Sequence, residues 1–522
     1  MATTLNFKDV IDLPQWRPEA PTLAASAAGM TIASDMRNNA TRHPYMYLLR
    51  STTAFDFFDP TTGDWMPLAS PTLGGSIAGG ATAVFNPSQG PRGTLAAGST
   101  TTNLVLSTAL PASVGANQLA NRGDGVGFRI RVIGNTAGGS GIIEERTIIA
   151  NSSGTTPQIT LDSALSFTPA TGSGYEILSG RVFMLSAGTT AAGFWKYYDI
   201  ATNSYSGNLA TTNLIATIST DSFIVPLSEQ YVSNDRVPGS GFVNGGATYN
   251  AAAPINCIQA TAASGTTITG SGMPAINTNE YRNFQVRIVE DTVTPTAVGQ
   301  RRRISSHTSG ATGVFTVATF AVTPSSSAKF VVENDDDKMI LRTSAVVTTY
   351  TYNIAGNAWD TTTFAASGSA CGFGTCGAQA FGITRDATGN TTHSQIALLR
   401  GGASNAVDIL DIAGGANGLW TNAITYGNQS QTFTTGTCAQ YAPATLGGRF
   451  IFLNVNGTQR MARFDIRNRI MDTNSYLRFP QGTAIVGSKM GLYTFVDGTT
   501  KLDFIYHLTN SSTNFFSLAT WR

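Results

Sequence analysis

A unit of two short strands recurs six times along this chain of 522 residues. Each copy has an apolar strand, a tight gap, a second strand that ends in a polar residue and a Gly- or Asn-containing turn, usually followed by an aromatic residue. Two strands are too few to bury their own apolar face, so the copies are expected to stack around a shared core. The copies occupy residues 46–65, 182–205, 339–359, 396–420, 450–471 and 492–516.

The sequence between and within the copies is typical of strands. Apolar residues alternate with polar ones or form short runs bounded by Gly, Asn, Thr and Pro, and almost no window keeps a helical period. We therefore expect an all-β chain folded as a six- to seven-bladed β-propeller, with the N-terminal residues closing the ring against the last copy. Residues 221–244 contain strand-like sequence and are a candidate for a seventh, degenerate blade.

Two long insertions separate the first three copies, and they resemble each other in sequence. Arg302 aligns with Arg146, and Met339 with Met184, so the offset shortens by one residue and runs on into the next blade. The duplicated unit is thus an insertion together with the blade behind it, and each insertion is expected to form a small β-sandwich or barrel. The expected domains are an N-terminal arm (1–44), blade 1 (45–77), insertion 1 (78–180), blade 2 (181–246), insertion 2 (247–337) and the remaining blades (338–522).

The repeat resembles the kelch motif, in which an Asp or Asn turn is followed by an aromatic residue. The turn residue and the aromatic are six residues apart in the first three copies. An Asp or Asn side chain can close such a turn, and a large ring can pack between blades. In the fifth copy, Met471 stands where the other copies have an aromatic ring. The resemblance implies structural roles for Asp59, Trp65, Asp199, Tyr205, Asn353, Trp359, Asp411, Trp420 and Asp465.

Composition limits the possible partners. Only 12% of the residues are charged and the net charge is +1, so a partner recognised by bulk charge is not expected. The first residues contain no apolar stretch of signal-peptide length, and no run of 18 apolar residues occurs, so we expect a product made in the cytoplasm without membrane insertion.

The insertions resemble segments of structural proteins of tailed bacteriophages. Both contain R-x-I, a polar turn, a short strand and T-P, within a charge-poor sequence rich in Ala, Gly, Thr and Ser. The resemblance implies a virion subunit of the tail nozzle or neck, assembled in the host bacterial cytoplasm. It implies a homo-oligomeric ring, six-fold, that contacts adaptor, tail fibres or portal complex and lets DNA pass without sequence recognition. The alternative is a receptor- or carbohydrate-binding collar or fibre protein that uses the insertions for recognition.

Residues with catalytic potential are scattered, so we expect no enzyme, no cofactor and no metal. The histidines do not cluster in sequence, and the acidic run at residues 334–337 lacks the spacing of a calcium loop. The basic run Arg301, Arg302 and Arg303 is a possible contact for DNA or an acidic neighbour. A packing role is equally open, because Arg302 aligns with Arg146.

Overall fold

Six four-stranded antiparallel sheets form a ring, so the expected all-β propeller is confirmed and has six blades. The computed structural model describes residues 16–35, 45–86, 89–121, 127–135, 137–218, 221–227, 258–271, 277–333, 335, 337–372, 376–380, 395–424, 433–434, 436–442, 449–455, 460–466, 469–472, 490–497, 500–508 and 513–520. From the inner to the outer strand, the blades consist of Thr31–Ser34, Met46–Ser51, Ala54–Asp59 and Asp64–Pro67 in blade 1; Thr82–Asn86, Arg181–Leu185, Trp195–Asp199 and Ser204–Tyr205 in blade 2; Ser222–Pro226, Lys338–Thr343, Tyr350–Asn353 and Ala358–Asp360 in blade 3; Cys376–Ala380, Gln395–Leu399, Val407–Asp411 and Leu419–Ile424 in blade 4; Cys438–Ala442, Phe450–Val455, Arg460–Asp465 and Ile470–Asp472 in blade 5; and Gly491–Asp497, Thr500–Leu508, Phe515–Ala519 and Trp16–Pro18 in blade 6.

The ring closes through the N-terminal segment. Trp16–Pro18 supplies the outer strand of blade 6 by pairing with Phe515–Ala519. Two backbone hydrogen bonds extend this pairing, from Glu19 N to Phe515 O and from Thr22 N to Thr513 O. The inner strands then contact one another in order from blade 1 to blade 6 and back to blade 1.

The inner strands of blades 1, 2 and 3 lie in segments that the sequence analysis assigned to the arm, the first insertion and a seventh blade. Thr31–Ser34 falls in the expected arm, and Thr82–Asn86 falls in the expected first insertion. Ser222–Pro226 begins the segment proposed as a seventh blade, yet it is the inner strand of blade 3, while residues 228–244 lie outside the described residues. Every residue of these three strands is buried, so none shows the alternation that marks a half-buried strand.

The last repeat is also out of phase with the others. In blades 1 to 5 the repeat covers the second and third strands, joined by a hairpin. In the sixth copy, the strands Gly491–Asp497 and Thr500–Leu508 are instead the inner and second strands of blade 6. This shift leaves blade 6 one strand short at the C-terminal side, and Trp16–Pro18 fills that position.

Aromatic side chains fill the spaces between blades. Between blades 2 and 3, Trp195 lies 5.2 Å from Tyr352 and 5.4 Å from Trp359, measured between ring centroids. Trp195 and Trp359 are almost completely buried, and Phe183 completes the cluster. Rings of this size bury large areas and pack at offset or tilted angles, which fixes one blade against the next.

Each insertion is a closed six-stranded barrel, connected between the inner and second strands of its blade. Barrel 1 lies between Asn86 and Arg181, and barrel 2 between Pro226 and Lys338. In chain order, strands 1-2-5-4-3-6 follow one another around both barrels and return to strand 1. The strands are Arg92–Thr94, Asn103–Val105, Arg129–Asn135, Gly138–Asn151, Gln158–Leu161 and Gly174–Leu178 in barrel 1, and Ile258–Ala263, Thr267–Ser271, Gln285–Glu290, Arg301–His307, Val314–Val317 and Lys329–Glu333 in barrel 2.

The two copies differ at one hairpin. In barrel 1 the third and fourth strands form a long hairpin that pairs with barrel 2 at Ile142 and Glu290. Barrel 2 has the short 3₁₀ helix Pro295–Ala297 at the corresponding place, whereas the other 3₁₀ helix, Gln118–Ala120, lies in barrel 1. Ile143, Val289 and Val331 pack into a small apolar cluster at the junction between the barrels.

Both barrels lie on one face of the propeller. Because successive strands in a blade are antiparallel, the inner-to-second and third-to-outer connections leave from the same end of the sheet. We call this end the insertion face. The second-to-third hairpins lie on the opposite face, where buried Asp56 pairs with Arg50 at 2.7 Å and buried Asp408 pairs with Arg400 at 2.6 Å.

Candidate sites at the blade and barrel contacts

Four outer-strand aromatic residues tie neighbouring blades together. Each donates a hydrogen bond to the carbonyl oxygen of an alanine in the segment that leaves the outer strand of the preceding blade. The bonds are Trp65 Nε1 to Ala20 O (3.1 Å), Tyr205 Oη to Ala69 O (2.6 Å), Trp359 Nε1 to Ala210 O (3.0 Å) and Trp420 Nε1 to Ala365 O (2.9 Å). The circular arrangement of the blades thus places each of these sequence-predicted aromatic residues against the preceding blade.

The Asp and Asn residues of the repeat close turns on the insertion face. The side-chain oxygen accepts a backbone N–H two or three residues further on, the arrangement of an Asx turn. The bonds are to Asp59 from Thr61, to Asp199 from Thr202, to Asn353 from Gly356 and to Asp411 from Ala413, at 2.8, 3.3, 2.9 and 3.0 Å. Asp465 accepts a hydrogen bond from Arg449 Nε at 2.8 Å, and residues 467–468 of its turn lie outside the described residues.

Two of these turns support the barrels. Barrel 1 rests on the turn after Asp199, where Gln118 Nε2 donates to Ala201 O at 3.2 Å and Ser113 Oγ donates to Thr202 O. Barrel 2 rests on the turn after Asp411 in the same way: Asn283 Nδ2 donates to Ile412 O at 2.6 Å and to Gly415 O at 2.9 Å. The sequence analysis did not single out Gln118 or Asn283, since neither belongs to the blade repeat.

The arginine run is engaged within the chain. Arg301 lies 3.7 Å from Glu176 of barrel 1. Arg303 donates to the side-chain oxygen of Asn283 at 2.9 Å, and its guanidinium lies 5.3 Å from the ring centroid of Phe364. Arg303 therefore supports the contact with the propeller, while Arg301 supports the contact between barrels.

Arg302 repeats the contacts of Arg146 in the other barrel. Each guanidinium donates to the carbonyl of the preceding residue, to the side chain two residues back and to a carbonyl just after the fifth strand. The matching bonds are Arg146 to Glu145 O, Glu144 Oε2 and Ala164 O, at 2.8, 2.7 and 3.1 Å, and Arg302 to Arg301 O, Gln300 Oε1 and Thr319 O, at 2.7, 3.0 and 2.7 Å. This identity supports the packing alternative for Arg302, and an intermolecular contact role for the run stays a prediction.

A network of charged residues lies between the two barrels. We call it the seam: Arg131, Glu145 and Glu176 of barrel 1 with Arg287 and Arg301 of barrel 2. Arg131 donates to Glu145 at 2.9 Å and to Glu176 at 3.0 Å, and both Arg131 and Glu145 are buried. Burial alone would raise the pKa of Glu176, but Arg301, Arg131, Arg92 and Arg287 lower it to about 2. The seam is therefore a charged, partly buried connection that fixes one barrel against the other.

Acidic and histidine side chains of the described residues do not gather into a metal site. Among them, no cluster of three or more His, Cys, Asp and Glu side chains could hold a metal ion. In the acidic run, Asp335 pairs with Lys338 at 3.2 Å and Asp337 accepts the amide of Ala355 at 3.0 Å. Of the histidines, His307 lies in barrel 2 and His507 in blade 6, and the other two lie outside the described residues. The helices of the described part are too short and polar to cross a bilayer.

The fold and its contacts define a class of protein: a six-bladed propeller that carries two homologous barrels on one face. No known family matches the chain, and no curated protein matches it. Among solved structures, Kuenenia stuttgartiensis hydrazine synthase is 8% identical with a TM-score of 0.30, covering 96% of this chain and 97% of its own. An auxiliary nutrient binding protein from Bacteroides ovatus is 9% identical with a TM-score of 0.24, covering 84% and 97%. At these similarities, the fold rests on the sheets of this chain itself.

Proposed function

We propose that this chain is a non-enzymatic structural subunit of a tailed-bacteriophage virion, located in the tail nozzle or neck. Copies of it form a homo-oligomeric ring of six that makes part of the wall of the DNA exit channel. The ring is assembled in the host bacterial cytoplasm and contacts adaptor, tail fibres or portal complex. The sequence resemblance of the insertions to phage structural proteins supplies the virion assignment.

The observation that supports a structural role is that bonds between modules recur along the described part of the chain. The N-terminal strand closes the propeller, and four aromatic side chains join adjacent blades. Both barrels rest on turns of the insertion face, and the seam joins the barrels to each other. A wall subunit needs such stiffness, whereas a lid or a closing cleft needs an element that moves.

The charge distribution suits a wall that DNA passes without being held. Affinity for DNA grows with the number of phosphates that basic side chains neutralise. With 32 basic and 31 acidic residues, the chain has a basic excess of only one residue. In addition, Arg301, Arg302 and Arg303 already contact groups within the chain.

The alternative, a carbohydrate-binding collar or fibre protein, finds less support in the barrels. Sugar rings stack on exposed aromatic faces, and every described aromatic side chain of the two barrels is buried. These residues are Phe128, Phe167, Tyr175, Tyr281, Phe284, Phe315, Phe320 and Phe330. The described part of the barrels therefore offers a sugar no exposed aromatic ring.

Light scattering and negative-stain microscopy of the purified full-length chain test the proposal, together with antibody labelling of particles from the phage that encodes it. We expect annular particles of six copies, or monomers that are found in the tail of the mature particle. Labelling outside the tail, combined with binding on a glycan array, would favour the alternative. Turnover of a substrate by the purified chain would refute a purely structural role.

A further inference from the structure

The two barrels hold their docking loops by equivalent hydrogen bonds. Asn117 and Asn279 both adopt the left-handed conformation, with φ of 60° and 62°. The backbone N–H of Asn117 donates to Asn151 O at 2.7 Å, and that of Asn279 donates to His307 O at 3.1 Å. The side-chain oxygen of each loop asparagine accepts the backbone N–H in return, at 3.3 Å in barrel 1 and 2.8 Å in barrel 2. Asn151 and His307 are thus counterparts, at the end of the fourth strand.

These counterparts differ in the chemistry of one bond. In barrel 1, the backbone N–H of Leu119 donates to Asn151 Oδ1 at 2.8 Å. In barrel 2, the backbone N–H of Tyr281 donates to His307 Nε2, also at 2.8 Å. An amide oxygen does not titrate near neutral pH, whereas an imidazole nitrogen does.

The hydrogen bonds of His307 define its protonation state. Because Nε2 accepts the amide N–H, it carries a lone pair, so the proton lies on Nδ1, which is 2.9 Å from Thr308 O. The ring is 3% exposed and lies between Tyr281 and Phe315, with ring centroids at 5.8 and 5.2 Å. A proton added to Nε2 would point directly at the N–H of Tyr281.

The surroundings of His307 favour its neutral form. Burial lowers the pKa of His307 below its usual value, and the Thr308 carbonyl opposes that shift. The titratable and charged groups near the ring are on the loop itself: Glu280 raises the pKa, Arg282 lowers it, and Tyr281 is uncharged in this pH range. The adjoining fifth strand contributes the apolar Phe315.

The loop held by His307 is the one that docks barrel 2 on the propeller. Asn283, two residues after Tyr281, donates to Ile412 O and Gly415 O of blade 4 and is 2% exposed. We infer that His307 makes this contact sensitive to pH: a proton on Nε2 expels the amide of Tyr281 and releases Asn283 from the turn after Asp411. Barrel 1, held by Asn151, keeps its contact with blade 2 under the same conditions.

Hydrogen exchange followed by mass spectrometry on the full-length chain tests this inference between pH 7.5 and 5.0, after correction for intrinsic exchange rates. Peptides covering residues 277–284 and 411–416 should lose protection by up to about tenfold for each pH unit below about 6.5. Peptides covering residues 113–121 and 199–203 report on barrel 1 and should not change. If the protection of residues 277–284 in the wild-type chain is the same at pH 7.5 and pH 5.0, the inference is overturned.

The chain supplies its own matched variants. His307→Asn gives barrel 2 the side chain of barrel 1, so its protection should become independent of pH, while Asn151→His should transfer the pH response to residues 113–121. If His307→Asn does not fold, His307→Gln, which also offers an amide oxygen, takes its place. Persistence of the acid-induced loss at residues 277–284 in the folded His307 variant would assign the loss to another group.

Discussion

The indole N–H of Trp359 in blade 3 donates a hydrogen bond to the carbonyl oxygen of Ala210, 3.0 Å away, in the segment that leaves blade 2. Trp65, Tyr205 and Trp420 make the equivalent bond to an alanine carbonyl of the preceding blade. Blade 5 has the buried Met471 at this position, which packs but donates nothing. The repeat therefore encodes a contact between blades as well as the fold of each blade.

Replacing Trp359 should weaken the contact between blades 2 and 3. Trp359→Phe leaves the partly buried Ala210 carbonyl without its indole donor, which should cost about 1–3 kcal/mol of unfolding free energy. Chemical denaturation measures this loss. Tyr205→Phe is the matched control, because its bond to Ala69 is exposed to solvent. An equal loss of unfolding free energy in both variants would contradict a higher cost for the less exposed bond.

Removing Arg400 should destabilise blade 4 strongly. The Asp408 side chain is completely buried. Arg400→Met leaves its carboxylate charge without the guanidinium partner, which should cost about 3–5 kcal/mol of unfolding free energy. Arg449→Met removes a similar pair in blade 5, but the Arg449 side chain is 35% exposed, so the expected cost is about 0–1 kcal/mol. Thermal melts of both variants should keep this order, and a reversed order would show that burial does not control the cost.

The seam should make stability depend on acid pH. The pKa of Glu176 is lowered to about 2, so its contribution is complete above the ordinary value of 4.5 and is lost as the pH falls towards 2. The full contribution amounts to about 3 kcal/mol. Denaturation of the wild type and of Glu176→Gln at pH 7, 4.5 and 3 should show the two curves converging at low pH. Glu290→Gln, which removes a solvent-accessible pair with Lys329, should cost less than about 1 kcal/mol.

Loss of the N-terminal strand should open the propeller. Deleting residues 1–22 removes the strand Trp16–Pro18 and the Ala20 carbonyl that Trp65 binds, and it exposes the edge of Phe515–Ala519. We expect a lower melting temperature and aggregation through the unpaired edge. A synthetic peptide of residues 13–24, added in trans, should restore part of the melting temperature, and failure to do so would argue that the strand acts only during folding.

The sequence was informative where a residue has a local signature. The turn residues Asp59 and Asn353 and the rings of Trp65 and Trp359 recur at a fixed spacing, because each closes a turn or fills a gap within its own repeat. The alignment of Arg302 with Arg146 likewise pointed to a shared contact, and both guanidinium groups make the same three bonds. The six copies of the repeat and the two related insertions follow from such local patterns, whereas the predicted number of blades was six to seven.

Inner strands and docking contacts were missed because their partners are far away in sequence. Thr82–Asn86 pairs with Arg181–Leu185 across the whole of barrel 1, and no pattern within five buried residues indicates that pairing. Asn283 reaches Ile412, 129 residues further on. Such contacts depend on the assembled propeller, and periodicity within a short window does not record them.

The buried inner strands of the propeller have a geometric consequence for the proposed ring. The inner strands of blades 1, 2 and 3 are buried along their length, so this arc of the propeller exposes no inner-strand side chain. In the proposed ring of copies, the bore lies between neighbouring chains and is lined by their outer surfaces. Its diameter depends on how many copies surround it and how each one tilts, so it can change while the interior of every copy stays the same.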